Sequence, residues 1–272
     1  MTIQTITFRI FVYVGVFYLV INLLAFFFSE KLIFEPQAST YVHLQNEIKI
    51  PVEHGEEITA VYLPVSGAKW TILSSHGNAE DLGTVLPFMK QFQQHGFSVL
   101  LYDYRGYGTS DGSPSEKNAY KDIAAAYHWL VNEKKVDPKT IIVHGRSVGG
   151  GPSTWLAAHY KVGGLILEST FLSAFRVKTK VAITPWDKFD NLKNIKKTSC
   201  PVLVIHGKQD SVIPFWHGEK LYEAAPHEKM NFWVDLAAHN DLDYRAGKNY
   251  FLAIQKFVEL LDKKGTENAP KK

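Results

Sequence analysis

The sequence predicts an α/β domain whose mainly parallel sheet is covered by helices on both faces, preceded by one apolar helix long enough to cross a membrane. Three observations predict it. Five short continuous apolar runs recur along the chain, "WTILSSHG" (70–77), "FSVLLYDY" (97–104), "TIIVHG" (140–145), "GGLILES" (163–169) and "PVLVIHG" (201–207), the pattern of strands buried on both faces. Helix-like segments lie between several of these runs, and strand, helix, strand repeated in this way builds a parallel sheet flanked by helices. Ahead of them, residues 10–28 read "IFVYVGVFYLVINLLAFFF", with no charge and only Asn22 as a strongly polar member.

At about 1.5 Å per residue this first run spans roughly 28 Å, close to the ~30 Å hydrocarbon core of a bilayer. The apolar part of a secretory signal is about 7 to 15 residues long and ends at a small-x-small cleavage site. Here the run ends in Phe26, Phe27 and Phe28, followed by Ser29, Glu30 and Lys31, so an uncleaved single-pass membrane anchor over residues 1–31 is expected. Arg9 and the amino terminus face only Lys31, offset by Glu30, a bias toward a cytoplasmic N-terminus with the domain on the far side. Ser29 to Gln37 reads as a short linker of about 30 Å at full extension, which would keep the domain near the lipid surface.

Residues 32–262 form the expected domain. "EIKIPVEHGEEITAVYLPV" gives two strands around a turn at Gly55, an antiparallel hairpin. "SPSEKNAYKDIAAAYHWLVNEKK" reads as a helix with Ser113 as N-cap, Pro114 at the first helical position and Glu116 completing a capping box. Residues 171–199 are the one sizeable insertion, too short for a large separate cap, so an open or lightly covered site is expected. Its Phe171, Phe175 and Trp186 either line an acyl pocket or pack the insertion onto the core. Residues 263–272, "KKGTENAPKK", read as a solvated polar tail.

Composition narrows the function classes. With 272 residues, 46% hydrophobic, the chain is long enough for one substantial core. A net charge of +3, with Lys and Arg spread along the chain, leaves no basic stripe for nucleic acid. Cys200 is the single cysteine, which excludes an internal disulfide and a cysteine zinc cluster. It stands before Pro201 at the start of an apolar run, the place of a buried structural thiol.

Chemistry concentrates at the ends of the buried runs. Gly145, Arg146, Ser147, Val148 and Gly149 fit G-x-S-x-G between a strand and a helix-like "STWLAAHY", the context in which a serine is held on a strained turn while glycines avoid clashes with strand and helix. A phosphate-binding turn is the alternative, but the glycine spacings it requires are absent. A serine hydroxyl is barely nucleophilic at neutral pH, so an imidazole and a carboxylate must accompany it, in the chain order serine, acid, histidine. Asp210 in "VIHGKQDSVIP" follows a buried strand, and His239 in "MNFWVDLAAHNDL" follows the last one. His217 competes as base but falls on a helix, and Asp187, Asp190 and Asp235 compete less well as acid. Main-chain N–H groups of Val148, and of Asn78 in "SSHGNAEDLG", are the expected oxyanion donors. His76 and Asp81 have the spacing of some glycerolipid acyltransferases, a reading that leaves the serine turn unexplained.

With these residues in hand, the sequence resembles the α/β-hydrolase superfamily, and more narrowly the membrane-anchored bacterial YfhR-type and eukaryotic Bem-type hydrolases. "HGNAED", "LLYDYRGYGTSDGSPSE", "HGRSVGGG", "LILESTF", "VLVIHGKQDSVIP" and "HNDL" carry the resemblance over nearly the whole chain. It implies the α/β-hydrolase fold, with Ser147 as nucleophile, Asp210 as acid and His239 as base, and it needs neither metal nor organic cofactor. Ala238 departs from the family, which often has glycine before the histidine. The resemblance implies cleavage of an acyl ester or thioester. A peptidase or amidase of the same fold, and a catalytically silent binding module, remain the alternatives.

Overall fold

The computed structural model describes residues 3–181 and 183–267. At its centre an eight-stranded sheet runs in the order β1-β2-β4-β3-β5-β6-β7-β8. β1 (Glu47–Pro51) and β2 (Glu57–Leu63) form the expected antiparallel hairpin, and β2 is also antiparallel to β4 (Ser98–Tyr102). From β4 through β3 (Thr71–Ser75), β5 (Ile141–Arg146), β6 (Gly164–Glu168), β7 (Val202–Gly207) and β8 (Lys229–Val234) every pairing is parallel. Each of the five apolar runs contains one of β3 to β7.

Nine helices are described: α1 (Ile3–Ile33), α2 (Leu82–Gln94), α3 (Glu116–Asn132), α4 (Gly150–His159), α5 (Arg176–Thr179), α6 (Asn191–Ile195), α7 (Trp216–Ala224), α8 (Leu242–Ala246) and α9 (Lys248–Glu267). The strands bury alternate residues on opposite faces because their side chains have a period of two. Leu73, Val143, Leu165 and Val204 join the core under α3, α4, α6 and α7. Their chain neighbours Ile72, Ile142, Ile166 and Leu203 join the core under α2, α8 and α9. Both faces being apolar, these strands carry no polar alternation, and that is why they read as unbroken runs.

The structure corrects three local expectations. Ser115, not Ser113, caps α3, its hydroxyl accepting the N–H of Asn118 at 3.0 Å, and Glu116 is the first helical residue. Ser113 and Pro114 instead belong to the preceding loop, where Pro114 packs against Gly106. The supposed linker after the apolar run is also not extended, because α1 continues through Ser29 to Ile33. Phe34 follows at once and is buried against Tyr107 and Phe189. At the other end, α9 continues to Glu267, inside the segment assigned to the polar tail, and residues 268–272 lie outside those described. Cys200 is buried.

Among the described residues α1 is the one helix long and apolar enough to cross a membrane. Residues 3–20 are exposed on every side, whereas Ile21, Asn22, Ala25, Ser29, Glu30 and Ile33 are covered to varying degrees. Spacings of four put these on one helical face, so the second half of α1 lies against the domain.

Candidate active site

A parallel sheet aligns the C-terminal ends of its strands, and the loops leaving those ends meet in one region. After β5 the chain turns sharply into α4, with Ser147 at φ 53°, a conformation that costs a non-glycine residue roughly 1–3 kcal/mol. Two close approaches hold the turn. A β-carbon on Gly145 would lie 2.5 Å from the carbonyl oxygen of Gly149, and one on Gly149 would lie 2.2 Å from that of Ser75. The Thr170 hydroxyl donates to the carbonyl of Ser147 at 2.7 Å.

The loops after β7 and β8 bring Asp210 and His239 to this serine. His239 Nε2 lies 3.0 Å from Ser147 Oγ, and its Nδ1 lies 2.7 Å from Asp210 Oδ2. The other carboxylate oxygen of Asp210 accepts the N–H groups of Val212 and Ile213, at 2.9 and 2.8 Å. Burial by itself would raise the Asp210 carboxyl, but hydrogen bonds from His206, His239 and the Ile213 amide outweigh it and hold the group well below the usual carboxylate range. An ionised Asp210 favours the tautomer with the proton on Nδ1 of His239, which turns the Nε2 lone pair toward the serine hydroxyl. Asp241 shapes the histidine loop by accepting the N–H of Ala238 at 2.7 Å, and Ala238 stays out of the left-handed region, so its methyl group is accommodated.

The competing residues are engaged elsewhere. His217 is buried on α7, its Nδ1 accepting the N–H of Leu172 at 3.1 Å, and burial pushes it down to about 4. Asp187 accepts from Ser173 and Phe175, Asp190 caps α6, and Asp235 pairs with Lys208. Asp81 caps α2 and binds Thr40. His76 faces Asp103 at 3.3 Å, not Asp81, so the acyltransferase spacing does not assemble a pair.

A cavity of about 530 Å³ opens over the serine, with Ser147, Val148 and Asn78 in its lining. Phe171 and Phe175 of the insertion line it as well. Trp186 does not; it packs edge-on against Phe175 and against Phe26 of α1, at 5.1 and 6.0 Å between ring centres. The described lining residues include one charged side chain, Lys178.

Sequence reasoning missed three supports of the site. Arg146 pairs with Glu80 across the serine turn. His206 Nε2 lies 2.8 Å from the carbonyl of Ile213 and 3.4 Å from Asp210 Oδ2, behind the acid, and its position four residues before Asp210 was the available signal. The Asn78 side chain donates to the carbonyl of Ile33 at 2.8 Å and accepts the N–H of Glu35 at 2.9 Å and the Tyr107 hydroxyl at 2.6 Å. No local pattern announces that last contact, because Ile33 and Glu35 lie more than forty residues upstream and Tyr107 lies 29 residues downstream.

Comparison with known proteins identifies the family of the fold. The α/β-hydrolase domain-containing protein 17B of Xenopus tropicalis is 39% identical over 209 residues, which cover 75% of this chain and 72% of that protein. The chain belongs to the α/β-hydrolase family. Residues 66–191 of this α/β hydrolase also match the family model described as serine aminopeptidase, S33. The α/β-hydrolase domain-containing protein aho-3 of Caenorhabditis elegans is 40% identical over 200 residues, 72% of this chain, and the chain spans only 60% of that relative's length. Among solved structures, an esterase of Pyrococcus furiosus superposes with a TM-score of 0.71 at 15% identity, covering 84% of this chain and 97% of the esterase. An α/β hydrolase of Vibrio vulnificus gives 0.62 at 24% identity, covering 76% and 80%. At these identities the structural likeness speaks for the fold.

Proposed function

We propose that this α/β hydrolase is a membrane-anchored serine hydrolase that cleaves an acyl ester or thioester through an acyl-serine intermediate. The observation that carries the reading is the continuous chain Ser147 Oγ, His239 and Asp210, at 3.0 and 2.7 Å, beneath an apolar cavity. In this reading Ser147 Oγ attacks the acyl carbonyl carbon while its proton passes to His239 Nε2. Main-chain N–H groups of Val148 and Asn78 receive the developing oxyanion, each worth about 3–4 kcal/mol of barrier in comparable sites. The imidazolium then returns the proton to the departing alcohol or thiol. Water, deprotonated by the same Nε2, attacks the acyl-serine, releases the carboxylic acid and restores the hydroxyl. Asp210, held ionised, orients His239 and stabilises its charged form.

The apolar run of α1 supports membrane anchoring, and the likeness to YfhR-type and Bem-type hydrolases rests on runs such as "YDYRGYGTSDG". A peptidase reading draws on the name of the matched family model. The cavity favours the acyl reading, since its described lining carries no carboxylate to receive the amino terminus of a peptide. A silent binding module would not require three aligned catalytic groups. A fluorophosphonate probe tests the core of the reading: it should label the folded protein and not Ser147→Ala. Turnover should favour acyl esters and thioesters over peptide amides. Absence of labelling in folded protein would overturn the enzyme assignment, and faster cleavage of amides would replace it with the peptidase.

A further inference from the structure

We infer that the second half of α1 forms one wall of the acyl subsite, so that the acyl chain of a membrane-embedded substrate reaches Ser147 along this helix. The inference rests on the serine-hydrolase reading above and adds to the anchor a direct part in choosing the substrate. Its starting point is the cavity over Ser147. Ile21, Ala25, Ser29, Leu32 and Ile33 line it from α1, and Phe171, Phe175, Val177 and Ile183 line it from the insertion. A volume of about 530 Å³ lies within the ordinary range for small-ligand sites.

The helix is shaped for this use. Ile21, Ala25 and Ser29 recur every fourth residue and therefore share a face. That face carries two small side chains at the positions nearest the domain, while the large Phe26, Phe27 and Phe28 remain exposed. A helix that served only as a tether would dock best with bulky side chains filling the interface, because protein interiors pack without voids of this size. Instead a hollow is kept between α1 and the insertion. The hollow adjoins the exposed apolar surface of residues 10–20, so the occupant best matched to it is a hydrocarbon chain arriving from the bilayer.

Geometry along the helix agrees. A helix of 31 residues is about 46 Å long, some 16 Å more than the hydrocarbon core. The uncharged run 10–28 that matches the core overlaps the docked part, residues 21–33, by about two turns, so the hollow opens at the depth of the hydrocarbon. Docking is specific: Glu30 accepts from Lys188 Nζ at 2.6 Å and from the N–H of Glu116 at 3.1 Å, and the Tyr18 hydroxyl donates to the carbonyl of Ile183 at 3.1 Å. The Asn78 side chain binds the end of α1, while its main-chain N–H is the proposed oxyanion donor. One further group points to a ligand. Ser29 is 1% exposed, its hydroxyl has no hydrogen-bond partner among the described residues, and it lines the same cavity. A polar linkage in the substrate would satisfy it.

The test uses the full chain in lipid nanodiscs, with p-nitrophenyl butyrate and p-nitrophenyl palmitate as substrates. Ala25→Phe fills the hollow from the α1 side. The ratio of kcat/KM for palmitate over butyrate should fall by roughly tenfold or more, the effect of excluding two methylenes from burial. Phe27→Leu, on the exposed face, should leave the ratio unchanged. Should Ala25→Phe fail to fold, the smaller Ala25→Val should still lower the ratio, by about two- to threefold. An unchanged ratio in a folded Ala25 variant, or an equal loss with Phe27→Leu, would overturn the inference. Ser147→Ala separates the two levels: butyrate turnover surviving in that variant removes the serine-hydrolase reading itself. Loss of butyrate turnover there, with no effect of Ala25, removes only the wall.

Discussion

The serine centre and the cavity above it are built in opposite ways. Ser147, Asp210 and His239 follow the C-terminal ends of β5, β7 and β8, and each is fixed by contacts within a few residues of itself or by the neighbouring strand. The cavity is assembled from α1 and the insertion 171–199, segments joined by Lys188–Glu30, Tyr18–Ile183 and Phe26–Trp186 contacts that span more than 150 residues. Bond-making groups therefore sit on the rigid sheet, and the surfaces proposed to select the substrate sit on elements that vary without disturbing it. Variants in the first region should change the rate for all substrates alike, and variants in the second should change it according to the acyl chain.

Ser147→Ala tests the first half most severely. It should lower kcat by about 10³-fold or more on p-nitrophenyl esters of every chain length, with an unchanged Tm, because it removes the attacking atom and leaves the turn intact. Near wild-type rate in the purified variant would move the nucleophile elsewhere. His239→Ala should cost about three orders of magnitude or more, again without regard to chain length. His217→Ala should differ in kind. It leaves the buried N–H of Leu172 without its acceptor, an expected stability loss of about 1–3 kcal/mol, while most of the rate survives. A reversal of the two histidine results would transfer the role of base to His217.

The same division explains what the sequence discloses. Strands buried on both faces read directly as apolar runs, and the glycine-flanked serine reads directly because Gly145 and Gly149 have no room for a β-carbon. Asp210 is legible as a polar residue just beyond such a run, and His239 as one in the loop after the strand-like "MNFWV". The cap of α3 is misread because Ser113 and Ser115 both precede Glu116 closely, and only the packing of Pro114 on Gly106 decides between them. The extension of α9 past residue 263 is hidden by Gly265 and Thr266, weak helix formers in a polar stretch. Docking of α1 is not legible at all. Ile21, Ala25 and Ser29 are as acceptable on a lipid-facing helix as on one that lines a cavity, so the run carries no contrast of polarity to mark the covered face.

Removing α1 sharpens the comparison with a mixed effect. A chain beginning at Phe34 keeps the buried aromatic contact with Phe189 and Tyr107, which a start near Pro36 would lose. On liposomes carrying a long-chain acyl ester, at matched enzyme concentration, this chain should be slower than the full protein by roughly tenfold or more, because it loses both local concentration and the cavity wall. On soluble butyrate the loss should be only about two- to fivefold, from freeing Asn78 of its bond to Ile33. Equal rates of both chains on liposomes would show that α1 neither tethers nor selects.

The smallest effect is expected from Glu30→Gln, which weakens the fastening of α1 without touching the cavity lining. Lys188 is partly buried, which lowers its pKa, but hydrogen bonds and charge from Glu30 and Glu116 outweigh that and raise it, so the amine stays protonated beside its two acids. Partly exposed ion pairs of this kind contribute about 1 kcal/mol or less. Glutamine offers one oxygen where glutamate offers two, so it can keep the N–H of Glu116 but turns its NH2 toward Lys188, losing the charge and that one hydrogen bond. The palmitate-to-butyrate ratio should therefore fall by no more than about threefold, and high salt should reproduce part of that fall in the wild type by screening the pair. Salt should leave the Glu30→Gln ratio nearly unchanged. If salt shifted both proteins equally, the pair would not be what holds the wall in place, and its fastening would rest on Asn78, Tyr18, the bond of Glu30 to the N–H of Glu116 and the aromatic contacts of Phe26 and Phe34.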